Sequence, residues 1–205
     1  MISKGILIRL EVKSGKDDDV ETFLRATNPM IQQEENTKAW FGIRFGKSEY
    51  GIVGMFESEE AREKLLSGST ANILTQQINT LFSEPPRVQR LDVLARKMPV
   101  TVPQQPDTKA ILLTFKAKAG HTQEVERFLK DAEALAREEP DTTAWFAIRL
   151  DNDEYGIFDV FPDNGGRFKH LTGQIPRELA KNALSLLGSM PDMELPTVLE
   201  EKLVI

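Results

Sequence analysis

Thr37-Lys-Ala-Trp-Phe-Gly-Ile-Arg-Phe-Gly-Lys-Ser-Glu-Tyr-Gly-Ile52 returns 105 residues later as Thr142-Thr-Ala-Trp-Phe-Ala-Ile-Arg-Leu-Asp-Asn-Asp-Glu-Tyr-Gly-Ile157. Both tryptophans of the chain (Trp40, Trp145) and both tyrosines (Tyr50, Tyr155) lie in these two copies at matching positions. The match extends in both directions without a gap, aligning Lys4 with Lys109 and Lys97 with Lys202. About 30 of roughly one hundred paired positions are identical, which reads as one duplicated unit and not as an array of short repeats. The expected organisation is a first domain over residues 1–98, a linker over 99–107 and a second domain over 108–205.

Outward from the quoted stretch, each copy has the same pattern. It opens with period-2 alternation: Ile6, Ile8, Leu10 and Val12 on one face, repeated by Ile111, Leu113, Phe115 and Ala117, the mark of a half-buried strand. Gly15 and Gly120 then signal a turn. A helix follows, with Val20, Phe23, Leu24, Thr27 and Ile31 at helical spacing, copied by Val125, Phe128, Leu129, Ala132 and Ala136. Asp18 with Glu21 is placed for a capping box, and Asp17-Asp18-Asp19 suits the positive end of the helix dipole.

The Trp-containing stretch comes next as a hairpin, its strands Trp40–Phe45 and Tyr50–Phe56 joined by Gly46-Lys47-Ser48, or Asp151-Asn152-Asp153 in the second copy. A second helix starts at Ser58 or Asp163, breaks near Gly68 or Gly173, and resumes, with Pro176 in the first turn of the resumed segment where its missing N–H costs nothing. Pro85-Pro86 and Pro191 end it, and a last strand is expected over Val88–Ala95 and Met193–Glu200. The linker, with three prolines between Met98 and Asp107, reads as stiff and extended. The order β-α-β-β-α-β, twice, is the ferredoxin-like arrangement: α+β, with an antiparallel sheet and two helices on one face. Two such domains in one chain can cover each other's open sheet faces, giving an intramolecular pseudo-dimer of barrel type; further homodimerisation is left open.

Composition narrows the function classes. The chain has no cysteine, which removes disulfides and thiolate chemistry and suits a reducing cytoplasm. The net charge of −6 is unevenly placed: residues 1–98 carry 14 basic and 14 acidic side chains, residues 99–205 carry 12 and 18. No basic run or stripe is present, which argues against nucleic acid as a partner. The first residues read as a strand and not as a signal peptide, and no apolar run is long enough to span a membrane. Two histidines far apart (His121, His170) give no metal motif, and no glycine-rich phosphate loop or Gly-x-Ser-x-Gly is present, so no metal and no cofactor is expected.

The motifs Trp-Phe-x-Ile-Arg, then Glu154-Tyr-Gly-Ile-Phe-Asp-Val-Phe-Pro-Asp163, then Gly166-Arg-x-x-His-Leu-x-Gly173 resemble the antibiotic-biosynthesis-monooxygenase-like family of the dimeric α+β barrel superfamily. The resemblance covers nearly the whole chain, is carried best by residues 142–173, and is specific for fold more than for activity. It implies a cavity between sheet and helices in each unit. Members of that family include cofactor-independent monooxygenases acting on phenolic or quinol-type substrates, haem-degrading enzymes, and proteins with no known reaction. Haem degraders carry an asparagine on the first strand and a tryptophan on the third, and these strands have neither.

The candidate site residues follow from alternation and from asymmetry between the copies. Trp40 and Arg44, like Trp145 and Arg149, share a strand face with a small residue between them, which either leaves room for a ligand or is filled by helix packing; the arginines would then pair with Glu49 and Glu154 across the hairpin. Tyr155, Ile157, Asp159 and Phe161 share a face of the next strand, and a carboxylate there needs a hydrogen bond or a shifted pKa. Asp159 faces Gly54 in the alignment, and His170 faces Leu65, so the second copy holds a polar set that the first lacks. His170 and Asp159 are expected to act as general base and Arg149 to hold the resulting anion, with Trp145, Tyr155, Trp40, Arg44 and Tyr50 contacting a small aromatic substrate. Two functions are compatible with this: a cofactor-independent monooxygenase, or a non-catalytic small-molecule-binding or stress-associated module.

Overall fold

The computed structural model describes residues 1–101 and 107–204. The stiff linker expected between Met98 and Asp107 therefore falls largely outside the described residues. The first copy runs β1 (Lys4–Glu11), α1 (Asp17–Gln33), β2 (Thr37–Gly46), β3 (Glu49–Phe56), α2 (Glu59–Ser67), α3 (Ser69–Gln76), α4 (Ile78–Leu81) and β4 (Arg87–Lys97). The second runs β5 (Lys109–Lys116), α5 (Thr122–Glu138), β6 (Ala144–Arg149), β7 (Glu154–Phe161), α6 (Asn164–Leu171), α7 (Gln174–Leu186), β8 (Asp192–Glu194) and β9 (Thr197–Leu203). This is the expected α+β, ferredoxin-like order in both copies.

The turn glycines do what their position requires: Gly15 and Gly120 sit at φ +76° and +81°, where a side chain is strained. Ser58 and Asp163 cap α2 and α6, accepting from the amides of Ala61 and Gly166. The break at Gly68 and Gly173 is real, and Pro176 lies in the first turn of α7. The capping box at Asp18 does not form; Lys16 is the N-cap of α1 and no side chain bonds there. Instead the Asp17 carboxylate accepts from the Ser48 amide (2.8 Å) and the Tyr50 hydroxyl (3.1 Å), tying the helix start to the hairpin turn. Those bonds, the Ser48 amide first, hold Asp17 below the usual carboxylate range.

The compact units differ from the sequence copies. One comprises Met1–Leu91 with Thr197–Val204, the other Asp92–Pro196. In the first, β1 and β2 flank β3 (Ile6↔Gly54, Trp40↔Gly54), and β9, a segment of the second copy, extends the sheet along β2 (Trp40↔Lys202). In the second, β5 and β6 flank β7 (Ile111↔Asp159, Trp145↔Asp159), β8 lies along β5, and residues Asp92–Lys97 of β4 lie along β6 (Lys97↔Trp145). The last strand of each copy thus completes the sheet of the other unit, satisfying the otherwise free edge of the Trp-bearing strand. In the second copy that strand is split at Pro196, which has no N–H to give to a ladder, where the first copy has Leu91.

Each unit has its own core between sheet and helices. Ile6, Leu10, Val20, Leu24, Trp40, Tyr50 and Phe56 anchor the first; Ile111, Phe115, Val125, Leu129, Trp145, Tyr155 and Phe161 anchor the second. Arg167 of the Gly-Arg-x-x-His motif has a structural role. Its guanidinium donates to the carbonyls of Ala110 (3.4 Å) and Leu195 (3.1 Å) and to Asn164 (2.6 Å). Arg62 repeats it on Gly5 and Leu91.

Candidate active site

In the second unit a cavity of about 540 Å³ opens between the sheet and α6–α7, well inside the range of small-molecule sites. Ile111, Leu113 and Ile157 form its floor and Ile175, Leu179 and Ala183 its helical wall. Leu184, Met190 and Met193, apolar and strongly exposed, also line it. Asp159 and His170 are the ionisable residues in this lining.

Asp159 reaches the cavity because alternation on β7 turns it to the helix side, together with Tyr155, Ile157 and Phe161. His170 reaches it from the last turn of α6, its ring 5.2 Å from that of Phe161. The two side chains are almost fully buried and meet with His170 Nε2 3.3 Å from Asp159 Oδ2. The other ring nitrogen, Nδ1, is 2.7 Å from Oε2 of Glu139, the residue that ends α5. Glu139 Oε2 also accepts from Thr142 Oγ1 at 2.7 Å, and Lys97 Nζ donates to the Glu139 carbonyl. Asp159 Oδ1 has no hydrogen-bond partner.

Charge in this cluster is set by burial against pairing. Burial pushes the Asp159 carboxyl up to about 7; the His170 charge pulls it down, and that of Glu139 adds to the rise. Burial would lower His170, but Asp159 and the hydrogen-bonded Glu139 outweigh it and its pKa is raised. Burial works against ionised Glu139 too, yet the bond to His170 prevails and its pKa is lowered. The three groups are coupled, the charge of each setting the protonation of its neighbour.

The remaining candidates are elsewhere. Arg149 is not among the cavity residues: it pairs with Asp92 (2.5 Å) and Glu126 (3.2 Å), and sits opposite Tyr155, while Asp159 lies opposite Trp145. Arg44 pairs with Glu21 at 3.0 Å. The hairpin partners expected for these arginines, Glu49 and Glu154, are replaced by helix carboxylates, because the strand face carrying Arg also faces the first helix. Tyr50 donates to Asp17 and Tyr155 to Glu126 (3.4 Å); burial, first, and these carboxylates raise both phenol pKa values. Trp145 is fully buried core with its Nε1 unpartnered. Trp40 lines a smaller cavity of about 220 Å³ in the first unit. The room beside Gly42 is taken by the Trp40 ring, 3.0 Å from where a Cβ would be.

The first unit has no space for the polar pair. A Cβ at Gly54 would stand 3.0 Å from Phe56 Cζ and 3.1 Å from Ile6 Cγ1, so a carboxylate cannot be accommodated without repacking. Sequence reasoning missed Glu139, since Glu34 occupies the equivalent place and the asymmetry between copies passes over it. A helix-terminal Glu followed by Pro140 was the available signal.

No family model matches the sequence, and no curated protein matches it. Solved structures do. A candidate monooxygenase from Fusobacterium nucleatum superposes with a TM-score of 0.86 at 14% identity, covering 98% of this chain and 94% of its own. Another from Lactobacillus acidophilus gives 0.83 at 12% identity, covering 99% and 97%. A ferredoxin-fold protein from Listeria monocytogenes, described as related to antibiotic biosynthesis monooxygenases, gives 0.56 at 9% identity over 97% and 95%. At these identities the likeness concerns the fold. The chain has the ferredoxin-like fold of the antibiotic-biosynthesis-monooxygenase-like proteins.

Proposed function

We propose that the second unit is a cofactor-independent oxygenase for a small, largely apolar aromatic substrate of phenol or quinol type. The observation that carries this reading is a buried carboxylate with one unpartnered oxygen, Asp159 Oδ1, placed beside His170 in an apolar cavity. With its pKa near 7, Asp159 suits the removal of a proton from a weakly acidic substrate at neutral pH. The phenolic O–H proton moves to the Asp159–His170 pair and leaves a phenolate with carbanion character at the ring carbon para to it. That carbon adds dioxygen; the peroxide takes the proton back, its O–O bond breaks as the one C–H proton of that carbon leaves, and water departs from a new carbonyl. A phenol plus O₂ thus becomes a quinone plus H₂O, the substrate supplying the electrons. Apolar walls favour this by excluding water from the carbanion.

One observation favours a binding-only role. Arg149, the expected anion holder, is held away by Asp92 and Glu126, leaving the cavity, among the described residues, without a permanent cation. Oxygen uptake by purified protein with a panel of quinols and polyphenols separates the two readings. The oxygenase reading expects turnover that falls about 100-fold or more in Asp159→Asn. Turnover indifferent to that change refutes this site, and none with any member of the panel favours the binding module.

A further inference from the structure

We propose that Glu139 is the outer station of a proton path that runs from Asp159 through His170 to the protein surface. The path rests on the acid–base role given above to Asp159, but its geometry is independent of any reaction. His170 lines the apolar cavity and also a second, polar pocket of about 260 Å³ formed by Glu139, Asp141, Thr142, Lys169 and Gln174; among the described residues no other lines both. Its imidazole is the partition between the two. Nε2 faces Asp159 on the apolar side, and Nδ1 faces Glu139 on the polar side.

The need for such a path follows from the burial. The Asp159 side chain is 3% exposed, so a ligand filling the apolar cavity would cut it off from water. A proton taken from the ligand must then leave through the protein, and imidazole can accept at one nitrogen while releasing from the other. Glu139 lines the second pocket with a side chain 19% exposed; its Oε1 is buried and unpartnered while Oε2 holds His170 and Thr142, so release to solvent goes through that pocket. Its bonds to Thr142 Oγ1 and His170 Nδ1 fix the carboxylate, and through it the ring orientation, so Glu139 acts as a positioning residue. In the first unit Glu34 is kept, but Gly54 and Leu65 interrupt any such path.

The charged groups around His170 are Asp159 from β7, Glu139 from the end of α5, and Lys97 of β4, whose amine sits on the Glu139 carbonyl. The surface pair Lys169–Asp141 (2.8 Å) borders the polar pocket. Loss of the Glu139 charge should therefore be felt directly at the ring.

The chain has two histidines, so imidazole NMR reports His170 with the half-exposed His121 as an internal reference. The titration midpoint of His170 is expected to fall by about one pH unit or more in Glu139→Gln, with His121 unmoved. In Glu139→Ala, added formate should enter the vacated polar pocket and raise the midpoint again. If His170 titrates alike in parent and Glu139→Gln, or ignores formate in Glu139→Ala, the path is refuted. Should Glu139→Ala fail to fold, the near-isosteric Gln variant decides alone. Absence of oxygen uptake with an intact His170 response removes the oxygenase reading and supports the path.

Discussion

Replacing Asp159 by asparagine should stabilise the protein, and increasingly so as pH rises from about 4 to 7. The carboxyl titrates at about 7 in the folded chain against an ordinary 3.8. An acid raised on folding binds more protons folded than unfolded, so the stability it permits is complete below its ordinary pKa and is lost as pH rises through 7. A difference of roughly 3 units at 1.36 kcal/mol each sets an upper bound of about 4 kcal/mol on the penalty of the ionised form at pH 8. Asparagine keeps the shape, cannot ionise, and gives up the attraction to His170. The expected net gain therefore builds up between about pH 4 and 7, reaching about 1–3 kcal/mol at pH 8 and roughly 40% of that at pH 5, where the folded carboxyl is neutral but the unfolded one is already ionised. For a chain of this length each kcal/mol moves Tm by roughly 2–4 °C. Urea unfolding at pH 5, 6.5 and 8, followed by tryptophan fluorescence, measures the difference, and Trp145 sits directly across the sheet from the altered residue. A variant equally destabilised at all three pH values would refute the argument, because it would mean that Asp159 contributes through packing or bonding and that its charge is not strained. Cost without an evident structural benefit is what a carboxylate retained for proton transfer should show.

Two further outcomes follow from the same geometry. Arg149→Ala should cost about 1 kcal/mol in urea unfolding, since its ion pairs with Asp92 and Glu126 are half-buried and partly screened by solvent; a loss of several kcal/mol would mean that Arg149 is a keystone of the sheet. Ala183→Trp places an indole in the 540 Å³ cavity and should weaken binding of an apolar fluorescent dye about tenfold or more while circular dichroism stays unchanged. Undiminished dye binding would move the apolar site elsewhere.

The architecture was largely legible in the chain because its determinants are local. Alternation in Ile6–Val12, helical spacing in Val20–Ile31, glycine at the turns and the caps Ser58 and Asp163 each act over a few residues, and all are observed. Two local readings failed for a tertiary reason. Asp17 serves Ser48 and Tyr50 from a distant hairpin, so the box expected around Asp18 is not made. The arginines of the repeated motif turn to helix carboxylates that no hairpin rule includes.

For the site, comparing the two copies picked out Asp159 and His170, because a carboxylate and an imidazole against Gly54 and Leu65 is a chemical difference visible without coordinates. The sequence by itself determined the repeated unit, its α+β order and that polar pair. Only the tertiary structure decided that Glu139 joins them and Arg149 does not, and that β4 and β9 each complete the sheet of the opposite unit. The physical reason is range: periodicity and capping are set by neighbours in the chain, whereas ion pairing and edge-strand partnership go to whichever group the folded backbone brings within a few ångströms.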